Sequence, residues 1–66
     1  MEQFADVPDG AGLLLAFPVS LMEADLIGRG ITSFRFVRWS TTGYAVCSDQ
    51  WGARWHLHPE ALEVLA

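Results

Sequence analysis

Arginine and aromatic residues are interleaved in the middle of this chain, between Ser33 and His58. The segment opens with the run Phe34-Arg35-Phe36-Val37-Arg38-Trp39 and continues with Trp51, Arg54 and Trp55. Arginine and aromatic side chains supply much of the binding energy at protein interfaces. They also hold phosphates and stack bases when a protein binds single-stranded nucleic acid. The chemistry that this segment favours is therefore non-covalent binding.

The run at 34–39 resembles a fragment of the signature of the RNA-recognition motif, in which aromatic side chains on a sheet stack bases. It lacks the opening basic residue and glycine of that signature, and Arg35 stands where the signature has glycine or alanine. The resemblance implies a sheet that binds single-stranded nucleic acid through the aromatic residues and Arg35, Arg38 and Arg54. The competing interpretation is an amphipathic strand whose aromatic residues lie in the core.

The remaining reactive side chains predict no catalytic or metal chemistry. His56 and His58, with Cys47 and Asp49 on a neighbouring predicted strand, form a conceivable metal set, but the cysteine pairs of structural zinc sites are absent. Cys47 and a histidine could form a thiol and base, yet a single cysteine on a strand is more often a small core residue. We therefore expect no enzyme activity, no metal and no cofactor.

Cap and turn signals divide the first half of the chain into a strand and a helix. The apolar run at 13–17 is bounded by glycine and proline and predicts a buried strand. Ser20 and Glu23 have the capping-box spacing, so a helix of about two turns should begin there and end at Gly28 or Gly30. So short a helix needs tertiary contacts. The side chains expected to contact the sheet are Leu21, Met22, Leu26 and Ile27.

The second half predicts a three-strand antiparallel meander followed by a helix. Ser40-Thr41-Thr42-Gly43 and Asp49-Gln50-Trp51-Gly52 both have the residue preferences of a type I turn. The predicted strands span about 31–39, 44–48 and 53–57. Pro59 suits the first position of a terminal helix of two turns. The predicted fold class is α+β, a small antiparallel sheet with two short helices in the order β-α-β-β-β-α.

Alternation along the strands assigns side chains to faces. In the last meander strand, Trp55 and Leu57 lie on one side. The opposite side of that strand carries Arg54, His56 and His58. In the first meander strand Phe34 and Phe36 share a face, and the other face is expected to carry Arg35, Val37 and Trp39. Trp51, at the third position of a tight turn, projects into solvent unless it folds back on the hairpin.

Length and charge narrow the class of protein. The chain has 66 residues, enough for one domain, and we expect residues 1–12 to form a loosely held N-terminal arm. A single cysteine fits the reducing cytoplasm, and no apolar run is long enough to cross a bilayer. The formal charge is −4 and the chain has no lysine. That charge disfavours direct nucleic-acid binding and favours a basic partner.

In size, acidity, and the lack of enzyme motifs and cysteine pairs, the chain resembles small phage-encoded inhibitors of the anti-CRISPR type. The resemblance implies a non-enzymatic, stoichiometric inhibitor in the cytoplasm of the host cell. Its acidic surface would engage a basic, nucleic-acid-binding site on a larger protein or ribonucleoprotein complex, with Trp51 as an anchor. The residues implied are Asp6, Asp9, Glu23, Asp25, Trp51, Glu60 and Glu63. We expect a monomer or weak homodimer; a third interpretation is a subunit of a larger assembly.

Overall fold

A computed structural model describes residues 7–65, which form a five-stranded antiparallel sheet with one α-helix and one 3-10 turn. In chain order the elements are β1 (Gly12–Leu15), α1 (Leu21–Gly28), β2 (Ser33–Trp39), β3 (Ala45–Ser48), β4 (Arg54–Leu57), the 3-10 turn (Pro59–Ala61) and β5 (Leu62–Val64). The strand order across the sheet is β4-β3-β2-β1-β5. The α+β class is confirmed. Within residues 7–65, no helix is long and apolar enough to span a membrane.

The C-terminal helix is the main error of the sequence prediction. Pro59 does start a helical turn, but the turn covers three residues and β5 follows it at once. In β5, Leu62 pairs with Leu15 and Val64 pairs with Leu13. These contacts join residues about fifty positions apart, so the local spacing of leucines could not reveal them. The fifth strand covers the free edge of β1, which would otherwise expose unpaired backbone groups.

Both ends of α1 follow the local signals. The Ser20 hydroxyl oxygen accepts a hydrogen bond from the backbone N–H of Glu23 at 3.2 Å, which confirms the predicted N-cap. At the other end Gly30 has a φ of 81°, and the N–H of Ile31 donates to the carbonyl of Leu26 at 2.9 Å. This is a Schellman motif, which requires the left-handed conformation that glycine adopts without strain. The helix has eight residues, the predicted two turns.

The face that α1 turns to the core differs from the predicted one. Leu26 is buried and Ile27 is half-buried against the core, as expected. Leu21 and Met22 are instead exposed, and Glu23 is buried in their place. Positions 23, 26 and 27 lie on one helix face because residues three and four apart are neighbours. The prediction for Leu21 and Met22 is therefore wrong.

The two predicted turns of the meander are confirmed. The N–H of Gly43 donates to the carbonyl of Ser40 at 3.2 Å, and the N–H of Gly52 donates to that of Asp49 at 3.0 Å. Each turn is reinforced by its first side chain, since the Ser40 hydroxyl and the Asp49 carboxylate each accept two backbone N–H groups. The turns therefore fix the register of β2, β3 and β4 from local chemistry.

A β-bulge in β2 changes the face of Trp39. The pairing register between β2 and β3 shifts between Phe36 and Arg38, so one extra residue interrupts the alternation. As a result the Trp39 ring lies 5.2 Å from that of Phe36 and packs against the core. The prediction that Trp39 shares a face with Arg35 is wrong, because alternation holds only where the ladder is continuous.

The buried apolar residues other than Val46 form one cluster that draws on every strand, on α1 and on the 3-10 turn. Its members are Leu13, Leu15, Leu26, Phe34, Phe36, Ala45, Cys47, Leu57, Ala61 and Leu62. The predicted core positions Phe34, Phe36 and Leu57 are confirmed, and Trp55 packs against the cluster from its border. The first strand, predicted over residues 13–17, is observed as β1 and ends at Leu15.

Part of the predicted N-terminal arm is attached to the sheet. The N–H of Gly10 donates to the carbonyl of Phe36 at 2.8 Å, and the N–H of Phe36 donates to the carbonyl of Ala11 at 2.9 Å. Gly12 already belongs to β1. Residues 10–12 therefore continue the antiparallel pairing with β2, and residues 1–6 lie outside the described part of the chain.

Candidate binding surfaces

A buried carboxylate joins two distant parts of the chain. Glu23 Oε1 accepts a hydrogen bond from the N–H of Val19 at 2.9 Å, and Glu23 Oε2 accepts one from the N–H of His58 at 2.8 Å. Oε2 also lies 2.8 Å from His58 Nδ1, and this ring nitrogen carries the proton because a carboxylate can only accept. Glu23 thus completes a variant of the capping box that reaches Val19 instead of Ser20. It holds the start of α1 against the end of β4.

The charge of Glu23 is maintained by these hydrogen bonds. Burial raises the pKa of the carboxyl because a low-dielectric environment disfavours the charged form. The backbone N–H of His58, the His58 ring and the N–H of Val19 together outweigh that effect, so the pKa lies below its ordinary value. Glu23 is fully buried, which removes it from the predicted acidic surface. That part of the site prediction is wrong.

A cluster of exposed apolar side chains precedes and begins α1. We call it the 17–22 patch, and its large members are Phe17, Val19, Leu21 and Met22, which are 55%, 51%, 90% and 38% exposed. An exposed apolar patch is typical of an interaction site. The sequence prediction missed it, because it extended the first strand to Phe17 and turned Leu21 and Met22 towards the sheet. No local signal reveals the patch, because the burial of Glu23 depends on His58, 35 residues away.

The backbone beneath the 17–22 patch is fixed on both sides. The N–H groups of Ala16 and Phe17 donate to the carbonyl of Ala61 at 2.9 and 3.1 Å. The N–H of Val19 donates to the buried Glu23 carboxylate. The segment therefore carries its apolar side chains on a hydrogen-bonded frame supplied by the 3-10 turn and by α1.

Exposed acids border the 17–22 patch. Glu60 is exposed and immediately precedes Ala61, which holds Phe17. Asp25 is exposed one helical turn after Leu21, and its Oδ2 lies 3.0 Å from Arg29 Nε. That ion pair partly neutralises Asp25, although exposed pairs of this kind are weak.

The remaining described acids of the predicted acidic surface do not lie beside Asp25 and Glu60 in one group. Asp9 and Glu63 are exposed, and Glu63 lies opposite Leu14 in the pairing of β5 with β1. Asp6 lies outside the described residues. With Glu23 buried, the exposed acids that the structure connects to one feature are Asp25 and Glu60, at the border of the 17–22 patch.

Trp51 lies on the turn between β3 and β4 and is 69% exposed. Its N–H donates to Asp49 Oδ1 at 2.9 Å, and the indole N–H of Trp55 donates to Asp49 Oδ2 at 2.9 Å. The hydrogen bond from Trp55, with others from the backbone N–H groups of Ala53 and Trp51, lowers the pKa of the Asp49 carboxyl against an opposite effect of burial. The turn that presents Trp51 is thus held by one ionised side chain.

Three arginines and a histidine lie on the outer face of the meander. In one row across the sheet, Arg35 pairs with Ser48 and Ser48 pairs with Arg54. In the next row Arg38 pairs with Val46, and Val46 pairs with His56. The four residues that we call the basic face, Arg35, Arg38, Arg54 and His56, are all exposed. The structure therefore brings together the three arginines that the sequence proposed for nucleic acid.

The aromatic platform expected beside those arginines is not on this face. Phe34 and Phe36 are 3% and 4% exposed and belong to the core. Trp39 and Trp55 also pack against the core. The base-stacking surface implied by the resemblance at 34–39 is therefore absent from the outer face of the meander, and the competing interpretation, an amphipathic strand with its aromatic residues in the core, is confirmed.

The conceivable metal and thiol constellations do not assemble. Cys47 is fully buried in the core, and burial raises the pKa of its thiol to about 12, so it is not a nucleophile at neutral pH. His58 is bound to Glu23 and its ring meets that of Tyr44 edge-on, with centroids 5.0 Å apart. Among residues 7–65, no three metal-ligating side chains form a group.

Comparison with known proteins finds no relative of this chain. No family model matches it, and no curated protein or solved structure matches it significantly. Function therefore has to be inferred from the 17–22 patch and the basic face themselves.

Proposed function

We propose that this protein is a non-enzymatic module that binds a larger protein through the 17–22 patch. The observation that carries the proposal is the exposure of four large apolar side chains on a backbone segment that is hydrogen-bonded on both sides. Leu21, at 90% exposure, has the most apolar surface to lose on binding. Burial of such surface is the main driving force of protein association.

The fixed backbone of the patch supports the interpretation that its apolar side chains are exposed in order to bind a partner. Ordering a flexible loop costs affinity, whereas a segment already held in place avoids that cost. Here the buried Glu23 carboxylate holds Val19, and Ala61 holds Phe17. The first contact ties the patch to a buried side chain of α1, and the second ties it to the 3-10 turn, which is distant in sequence.

The charges around the patch indicate the chemistry of the partner. Asp25 and Glu60 border the apolar side chains, and the whole chain carries a formal charge of −4. The complementary surface is apolar with a basic border, such as the nucleic-acid-binding site of a larger complex. Occupying such a site makes the module a stoichiometric inhibitor, and opposite charge speeds the encounter.

The test compares two leucine substitutions. A partner captured from host lysate by the wild-type chain is identified, purified and titrated by calorimetry. We expect Leu21→Ser to weaken binding at least about tenfold, since truncation of a central apolar contact has that effect. Leu65→Ser is the matched control, because Leu65 is also an exposed leucine, at 50%, but lies after β5. We expect it to change affinity by less than about twofold.

Two results would contradict the proposal. The first is that no stoichiometric complex forms with any purified candidate. The second is that Leu21→Ser and Leu65→Ser bind the partner equally well. Light scattering adds a separate outcome: self-association that Leu21→Ser abolishes would make a second copy of this chain the occupant of the patch, in place of a different protein.

A further inference from the structure

We infer that the basic face is a second binding surface, which holds the phosphate backbone of single-stranded nucleic acid. It shares no residue with the 17–22 patch, so the inference does not depend on the proposed protein partner. Its components are Arg35, Arg38, Arg54 and His56, with the exposed Trp51 at one end.

The sheet spaces the cations regularly. Arg35 and Arg54 flank Ser48 on the two strands beside β3, so their Cα atoms are about 10 Å apart, two strand spacings. Arg38 and His56 flank Val46 in the same way, in a second row. Guanidinium groups on long side chains at such separations can reach successive phosphates of an extended strand.

Val46 shows that the side chains of this face lie along the sheet. It is only 2% exposed, yet it does not belong to the core cluster on the inner face. Its direct cross-strand neighbours are Arg38 and His56. Side chains of this face therefore cover Val46, and the apolar parts of Arg38 and His56 are its nearest neighbours across the ladder. Both residues are themselves exposed.

The arginines of the basic face are available for an anionic ligand. Among residues 7–65, the basic side chains in contact with a carboxylate are Arg29 and His58, neither of which belongs to the face. Asp49 is the acid next to the first row, and its oxygens already accept hydrogen bonds from Trp51, Ala53 and Trp55. Three of the four arginines of an otherwise acidic chain thus share this face, and the local arrangement of charge governs where a ligand binds.

A cleft beside Arg35 adds polar groups to the first row. Its volume is about 310 Å³, and its neutral polar side chains are Ser33, Ser48 and Gln50. The Asp49 carboxylate also lines it, with its oxygens bound to N–H groups of its own turn. Hydroxyl and amide groups donate to phosphate and sugar oxygens in protein–nucleic acid complexes. The cleft therefore extends the phosphate-binding row from Arg35 towards the turn that carries Trp51.

Trp51 favours nucleic acid over an acidic peptide. The turn that presents it leads directly into Arg54, and the indole is 69% exposed. Single-strand-binding sites combine cations for the backbone with an aromatic ring on which a base stacks. An acidic peptide offers carboxylates to the arginines but no base to the indole. Duplex DNA keeps its bases stacked and needs more phosphate contacts than three arginines supply.

The test measures binding of a labelled oligothymidylate of about twelve nucleotides by fluorescence anisotropy at about 20 mM salt. Neutralising three phosphates predicts a slope near −2 for log affinity against log salt, since each single-strand contact contributes about −0.7. Arg35→Ala, Arg38→Ala and Arg54→Ala should each weaken binding at least about threefold and reduce the slope by about 0.7. Trp51→Ala should weaken binding and leave the slope unchanged.

Arg29→Ala is the matched control, because it removes the same charge from the fourth arginine of the chain. Arg29 follows α1, precedes the meander and pairs with Asp25. The substitution should leave affinity within about twofold of wild type. Arg35→Lys should retain most of the binding, which separates charge from any loss of the Arg35 hydrogen bond to Gly10. Circular dichroism verifies that each variant is folded.

The inference is overturned if no oligonucleotide binds at low salt, or if Arg29→Ala costs as much as the other three. Stronger binding of polyglutamate than of the oligothymidylate would assign the face to an acidic protein segment instead. Leu21→Ser should bind the oligothymidylate like wild type. Failure of the basic face to bind the oligothymidylate is therefore distinguishable from failure of the 17–22 patch to bind a protein.

Discussion

Glu23 and Asp49 each accept hydrogen bonds from three N–H groups, but they do so in opposite environments. Glu23 is fully buried and binds Val19 and His58. Asp49 lies at the surface and binds Trp51, Ala53 and Trp55, all within six residues of it. One carboxylate joins segments 35 residues apart, and the other closes a local turn.

The comparison shows how the same chemistry supports two different surfaces. Glu23 holds the frame of the 17–22 patch, so its loss should affect the whole fold. Asp49 holds the turn that presents Trp51 beside the basic face, where water can replace a lost partner. Hydrogen bonds are costly to lose mainly when the remaining donors stay buried. Burial, and not the number of hydrogen bonds, should therefore set the size of each mutational effect.

The largest effect should come from Glu23→Gln, which keeps the volume but places an amide NH₂ against a buried N–H donor. We expect a loss of about 2–4 kcal/mol in the free energy of unfolding, measured by urea denaturation. Hydrogen exchange at Val19 should also accelerate. Glu60→Gln, at an exposed position, is the control and should cost less than about 0.5 kcal/mol. Equal losses in the two variants would show that Glu23 does not anchor the fold.

Acid should weaken the fold through the same carboxylate. The pKa of Glu23 is lower in the folded state than the ordinary value of 4.5 for a glutamate, so its contribution to stability is present above that ordinary value and is lost as pH falls through the folded pKa. Asp49 has the same sign, since its pKa is also lowered. The difference in unfolding free energy between wild type and Glu23→Gln should therefore shrink between pH 7 and pH 3. A difference that stays constant over this range would contradict the assignment.

The smallest effect should come from Asp49, and substitutions there separate its two roles. Asp49→Ser can keep the turn hydrogen bonds, as Ser40 does in the other turn, but it cannot reach Trp55. Asp49→Ala loses both. Thermal unfolding should show a smaller decrease in Tm for Asp49→Ser than for Asp49→Ala, and both decreases should be smaller than that of Glu23→Gln. A larger decrease for either Asp49 variant would reverse the ranking by burial.

Local signals were sufficient for the elements whose partners are near in sequence. The N-cap at Ser20, the glycine that ends α1 and the two type I turns each depend on contacts within a few residues. Arg35 and Arg54 on the basic face followed from alternation, whereas Arg38 joins them only because of the bulge in β2. Alternation failed at Trp39, where the bulge interrupts the ladder, because the position of a bulge depends on the pairing strand.

Residue type and short spacing were enough to predict the α+β class, the capped helix, the meander and the excess of acidic charge. The pairing of residues 62–64 with β1 and the burial of Glu23 against His58 became evident only in the folded chain. The same holds for the exposure of the 17–22 patch to solvent. These features depend on contacts between segments far apart in the chain, whose energy no local pattern contains.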